Sequence, residues 1–105
     1  MKVFEPFKIN QMELKNRMVV SAMVTNYCSE DGMATEKFIA YHEYKAKGGG
    51  GLIITEDYAV TPTAGGFKKL PGLWEDGQIE SYKELTRRIH EAGGKMKSQK
   101  TNRFL

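Results

Sequence analysis

The chain has 105 residues, of which 28% are charged, 40% hydrophobic and 10% aromatic, the balance of one globular unit. No run approaches the roughly 18 consecutive apolar residues of a membrane helix, and a single cysteine, Cys28, excludes an internal disulfide and a multi-cysteine metal site. Glu5, Pro6 and Lys8 interrupt the opening segment where a signal peptide needs an apolar core, so a cytoplasmic chain with no membrane partner is expected.

Net charge is +3, from 16 basic and 13 acidic residues, interspersed over most of the chain. The exception is the end, where Lys95, Lys97, Lys100 and Arg103 follow Glu91 with no acid among them. A nucleic-acid surface there is one alternative, although mild basicity is a weak pointer to a partner. No internal repeat is visible, and the glycine run is the one biased segment.

In chain order, Phe4, Phe7, Ile9, Met12 and Leu14 are apolar positions broken by Pro6 and by Asn10-Gln11, a hairpin-like lead-in. Arg17 to Ala22, centred on Met18-Val19-Val20, predicts a buried strand, followed by a polar loop over Thr25 to Gly32. Thr35 caps a helix that carries Glu36 in its first turn and Lys45 and Lys47 in its last. Gly48 to Gly51 stop it. Leu52-Ile53-Ile54 predicts a second buried strand, ending in the polar Thr55-Glu56-Asp57.

A long connection over Tyr58 to Glu75 leads to a second helix, with Asp76 as its expected cap. Its apolar residues Ile79, Tyr82, Leu85, Ile89 and Ala92 recur on one face, Glu84 and Arg88 form an i,i+4 pair, and Gly93-Gly94 end it. Lys95 to Gln99 predicts a third, weaker strand. The order β-α-β-α-β implies right-handed crossovers and a parallel sheet.

Ligands of parallel βα folds sit at the carboxyl ends of the strands, here Ser21 to Thr25, Thr55-Glu56-Asp57 and Gln99. The four glycines follow a helix and open a strand, so they are on the wrong side for a phosphate cradle. No GxGxxG follows the first strand, which disfavours a Rossmann site. Cys28 has no basic neighbour in sequence to activate it, and the spacing of His42, His90 and Cys28 matches no metal signature. Trp74, Tyr82 and most methionines read as packing residues.

Asn16-Arg17-Met18-Val19-Val20-Ser21-Ala22-Met23 resembles the old yellow enzyme family of FMN-dependent oxidoreductases, which includes NADH:flavin oxidoreductases and bacterial 2,4-dienoyl-CoA reductases. Three further stretches agree in order. Phe4-Glu5-Pro6-Phe7-Lys8-Ile9 is similar to the hairpin that closes the bottom of the family's TIM barrel. Lys47-Gly48-Gly49-Gly50-Gly51-Leu52-Ile53-Ile54-Thr55-Glu56 is similar to its second strand and lead-in. Leu73-Trp74-Glu75-Asp76, with the helix to Ala92-Gly93-Gly94-Lys95, is similar to its second helix.

The resemblance implies the N-terminal portion of a (β/α)8 TIM barrel, incomplete in this chain, over one partial FMN-binding domain spanning residues 1–105. It implies FMN as cofactor, with NADH or NADPH as reductant and an activated C=C bond or similar small-molecule acceptor. Ser21, Ala22, Met23 and Val24 fall on the stretch that lies along the flavin ring, and Gln99 on the glutamine that hydrogen-bonds its edge. Asn26 falls where some members have a substrate-contacting tyrosine. Asp57 replaces a small residue beside the flavin, Ala22 a frequent proline, and Val24 a frequent Cys, Thr or His. No catalytic side chain or metal ligand is implied within these residues, because the flavin itself carries hydride.

The likeness ends after Gln99: Lys100 to Leu105 is an unmatched tail, and Lys97 is unusual inside a barrel strand. A barrel has eight βα units in roughly 250 residues, so the chain is expected to be a flavoenzyme's N-terminal piece, inactive alone. The alternatives are a small βαβ nucleic-acid-binding module using the basic tail, or a non-functional remnant.

Overall fold

A computed structural model describes residues 1–63 and 68–101, Lys100 and Thr101 by backbone alone. A 3-10 turn, Lys2–Phe4, precedes strands β1 (Phe7–Ile9) and β2 (Met12–Leu14), which pair antiparallel with Phe7 opposite Leu14. Then come β3 (Val19–Val20), helix α1 (Glu36–Lys47), β4 (Leu52–Ala59), helix α2 (Asp76–Glu91) and β5 (Lys95–Thr101). The last three strands form one parallel sheet in the order β3-β4-β5. The hairpin and the β-α-β-α-β order are as the sequence predicts, with both helices packed on one face of the sheet.

The core lies between helices and sheet: Phe38, Ile39 and Ala46 of α1, Ile53 and Tyr58 of β4, and Tyr82, Leu85 and Ile89 of α2. Ile53 and Tyr58 both reach this cluster although five residues separate them. In a regular strand an odd separation sends side chains to opposite faces. The register explains the exception: Ile54 faces Lys97 but Asp57 faces Gln99, so β4 carries one extra residue, a bulge at Thr55-Glu56.

Both helices are built by local chemistry. Thr35 caps α1 as expected, its Oγ1 accepting from the Phe38 amide at 3.2 Å. The cap of α2 is Glu75 rather than Asp76. Gln78 accounts for the difference. Buried completely, it accepts from the amides of Trp74 (2.9 Å) and Glu75 (3.3 Å) and donates to the Asp31 carbonyl (2.9 Å), placing the cap one residue earlier. At the other end Gly93, at φ +90°, closes a Schellman turn: its amide donates to His90 and that of Gly94 to Ile89.

The glycine run does more than end α1. Asn16, nearly buried, donates through Nδ2 to the Gly49 carbonyl and accepts the Met18 amide on Oδ1. A Cβ on Gly51 would stand 2.5 Å from that Oδ1 and 2.8 Å from the Asn16 carbonyl oxygen, so only glycine lets β4 start this close to β3.

Five further expectations are corrected. The first strand is Val19–Val20, not Arg17–Ala22, and it is not buried: it is an edge strand, with Val19 51% exposed. The second strand runs to Ala59 rather than ending in Thr55-Glu56-Asp57, because those polar residues find partners within the fold. The third runs to Thr101 rather than Gln99, paired along β4 as far as Ala59. Glu84 pairs with Arg87, leaving Arg88 to bridge to α1 through Glu36 and Glu43 at 2.7–2.9 Å. Ile79, expected on the apolar face of α2, is 49% exposed because the buried stripe is carried by Gln78, Tyr82, Leu85 and Ile89.

Candidate functional site

Parallel pairing brings the carboxyl ends of β3, β4 and β5 to one edge of the sheet. After Val20 the chain leaves the ladder and runs extended through Ser21, Ala22, Met23 and Val24. Ser21 and Val24 are exposed, Ala22 is half-buried, and Met23 is 52% exposed. Among the described residues no hydrogen bond engages the backbone from Ser21 to Val24. The backbone amides of this strip are therefore free among the described residues, beside an uncovered methionine.

The strip is held from behind. The Thr25 amide donates to Glu56 Oε1 at 3.2 Å and its hydroxyl to Oε2 at 2.6 Å. His42 of α1 places Nε2 3.1 Å from the same Oε2, and both His42 and Glu56 are buried. A carboxylate only accepts, so Nε2 carries the proton in that bond. Burying a carboxylate is costly unless hydrogen bonds satisfy it, and three donors here do so.

Asp57 and Gln99 face each other across β4 and β5, and Gln99 Nε2 donates to Asp57 Oδ1 at 2.5 Å. Both lie two residues inside their strands rather than at the tips, because β4 and β5 run on to Ala59 and Thr101. Gln99 is exposed, and among the described residues its second N–H and its carbonyl oxygen are unbonded. Asn26, exposed and at φ 61°, accepts the Lys69 amide at 2.9 Å and so ties the loop after β4 to the loop after β3. With Tyr27, Lys37 and Lys69 it lines an open cleft of about 530 Å³.

Thus the structure joins Asp57 to Gln99 directly and sets Ser21–Val24 on the neighbouring strand's exit, while Asn26 belongs to a separate cleft. Sequence placed Thr25 and Glu56 at the carboxyl ends of strands but assigned neither of them, nor His42, a role. Their signal was present: a glutamate inside Leu52-Ile53-Ile54-Thr55-Glu56-Asp57-Tyr58-Ala59 must find a partner if the strand continues, and His42 shares a helix stripe with Ile39 and Ala46.

Cys28 is no nucleophile. Burial, with the charge of Glu56 adding to it, pushes its thiol far above the usual range. Among the described residues no group of three or more His, Cys, Asp or Glu is placed to hold a metal, and no helix is long and apolar enough to cross a membrane. Of the basic tail, Lys95 and Lys97 are exposed on the edge strand β5, which accommodates the unusual Lys97; Arg103, like Gly65-Gly66 of the long connection, lies outside the described residues.

The residues present suit a flat polar ring. Free backbone donors, an apolar wall and an amide share one edge, and the one feature that resists such a guest is the carboxylate of Asp57 on the Gln99 amide.

A sequence model of the NADH:flavin oxidoreductase / NADH oxidase family matches residues 2–101. The bilirubin reductase of Mediterraneibacter gnavus is 35% identical over 91 residues, covering 87% of this chain and 14% of that protein. The NADPH dehydrogenase of Bacillus subtilis is 38% identical over 96 residues, covering 90% of this chain and 28% of that protein. Among solved structures, the old yellow enzyme from Pichia sp. AKU4542 superposes with a TM-score of 0.88 at 31% identity, over 96% of this chain and 26% of that one. The chain thus spans between 14% and 28% of the length of these three relatives. Every strand and helix of the fold falls within the matched region, and the chain belongs to the NADH:flavin oxidoreductase / NADH oxidase family, that of the old yellow enzymes.

Proposed function

We propose that this chain forms the first part of the FMN site of an NAD(P)H-dependent oxidoreductase whose acceptor is an activated C=C bond or similar small molecule. FMN is the family's cofactor, with NADH or NADPH as reductant. The observation that carries the reading is that the unpaired strip Ser21–Val24 leaves β3, and Gln99 sits on β5, at the same carboxyl edge of one parallel sheet, with β4 between them. When bound, FMN would take hydride from the nicotinamide and deliver it to the acceptor.

The chain's own residues bind and orient. The amides between Ser21 and Val24 offer donors, the Met23 side chain walls one side, and the free N–H and carbonyl of Gln99 meet the ring's polar edge. Asp57 occupies one N–H of Gln99 and sets a negative charge near the ring, the feature of the site that opposes binding. Asn26, in its separate cleft, is the residue proposed to meet the acceptor. No nucleophile is needed, and the buried Cys28 supplies none.

The domain is a partial one. β3 and β5 are both edge strands, so the sheet presents two bare rims, and these 105 residues alone bind FMN weakly and catalyse nothing. A cytoplasmic location belongs to the same proposal. The test is a fusion of residues 1–101 to the complementary part of the Bacillus subtilis NADPH dehydrogenase. The reading expects the purified fusion to carry a visible flavin band that NADPH bleaches and an enone restores. A folded fusion that stays colourless after incubation with FMN contradicts it.

A further inference from the structure

Glu56 sits where three elements meet. It lies in the β4 bulge, where Ile54 faces Lys97 but Asp57 faces Gln99, and bulges commonly re-aim a side chain beside a functional edge. Its carboxylate receives His42 from α1 on one side and both the amide and the hydroxyl of Thr25 on the other. Glu56 is fully buried and His42 is 1% exposed, so neither touches a ligand at the sheet's edge. Thr25 is the residue immediately after the free strip, and among the described residues its bonds to Glu56 are the first polar anchor after Val20.

We propose that Glu56 is a positioning residue: through Thr25 it fixes the backbone of Ser21–Val24 in the course that presents free amides to the flavin. The inference rests on the flavin reading above and adds to it a residue that the ligand never contacts. The anchor is directional. Thr25 Oγ1 also accepts from the Tyr27 amide at 3.3 Å, so one hydroxyl sets both the end of the strip and the turn that follows. His42 braces the carboxylate from the helix side, which keeps Oε2 aimed at Thr25.

The tests are Thr25→Val, which keeps shape and removes the hydroxyl, Thr25→Ser, which restores it, and Glu56→Gln, which removes the charge. Amide hydrogen exchange is read on the full chain at residue 25, whose amide is the bonded one of this segment, with Leu85 and Ile89 as reporters of global stability. FMN affinity and midpoint potential are read on the fusion. Thr25→Val and Glu56→Gln are expected to speed exchange at residue 25 by about tenfold or more, the scale of one lost hydrogen bond to a charged group, without moving Leu85 and Ile89. The same variants should weaken FMN by about tenfold and shift its potential, and Thr25→Ser should return all three readings toward wild type.

Unchanged exchange in Thr25→Val, or faster exchange with unchanged FMN affinity, overturns the positioning role while leaving the flavin site standing. A failure of Thr25→Ser to restore the readings overturns it too. A wild-type fusion that takes up no FMN overturns the flavin reading itself, and the inference falls with it.

Discussion

Asp57 and Gln99 were both marked from the family resemblance, one as a departure and one as a match, and the structure shows them bonded to each other. Removing the carboxylate should free the whole Gln99 amide for the ring and withdraw negative charge from a cofactor whose reduction adds more. Asp57→Ala in the fusion is therefore expected to bind FMN about tenfold more tightly and to raise the flavin's midpoint potential, read by dye equilibration. A lowered potential contradicts this placement of the charge. At Gly51 the expectation concerns stability. An alanine Cβ would meet the Asn16 oxygens at 2.5 and 2.8 Å, one of them backbone and unable to swing away. Overpacking of this kind costs about 1–3 kcal/mol, so Gly51→Ala should lower the urea midpoint with the slope unchanged.

Helices α1 and α2 are joined by charge as well as by apolar contact. Arg88 bonds to Glu36 and Glu43, and this guanidinium holds the Glu43 carboxyl below its ordinary range. A depressed native value means that the unfolded chain takes up the proton first, so the contribution is present above the ordinary glutamate range and is lost as pH falls through the native value. Thermal unfolding followed against pH should show a midpoint that declines on the acid side, and Glu43→Gln should flatten part of that decline. Gln78 gives a sharper test of α2. Gln78→Leu leaves the amides of Trp74 and Glu75 and the Asp31 carbonyl without their partner, three part-buried hydrogen bonds worth about 1 kcal/mol each, so the melting temperature should fall by several degrees at least. The helices were legible in sequence because their signals are local: Thr35, Glu36 and the glycines bound α1 within a residue. The length of β4 was not, because Glu56 is satisfied by Thr25, 31 residues away, and His42, 14 away. The same distance hid the anchor of the Ser21–Val24 strip. Asp76 was a reasonable cap until the side chain of Gln78, three residues after Glu75, claimed the turn.

At the scale of the molecule, three parallel strands with helices on one face are a sector of a ring. The edge β3-β4-β5 is open at both sides, and parallel sheets are stable when both faces are covered. Val19, Phe7 and Ile9 are exposed around a hollow of about 190 Å³, lined also by Leu14 and Arg17. Joining the complementary barrel to residues 1–101 should bury these positions and raise the unfolding midpoint of the whole. The account's central claim is that the carboxyl edge of this sheet is one wall of an FMN site. A crystal structure of the fusion grown with FMN tests it most directly. The account predicts the flavin ring lying along Ser21–Val24, with their amides donating to it and the Gln99 amide at its polar edge. A well-defined FMN lodged elsewhere, with residues 21–24 and Gln99 untouched, would contradict it.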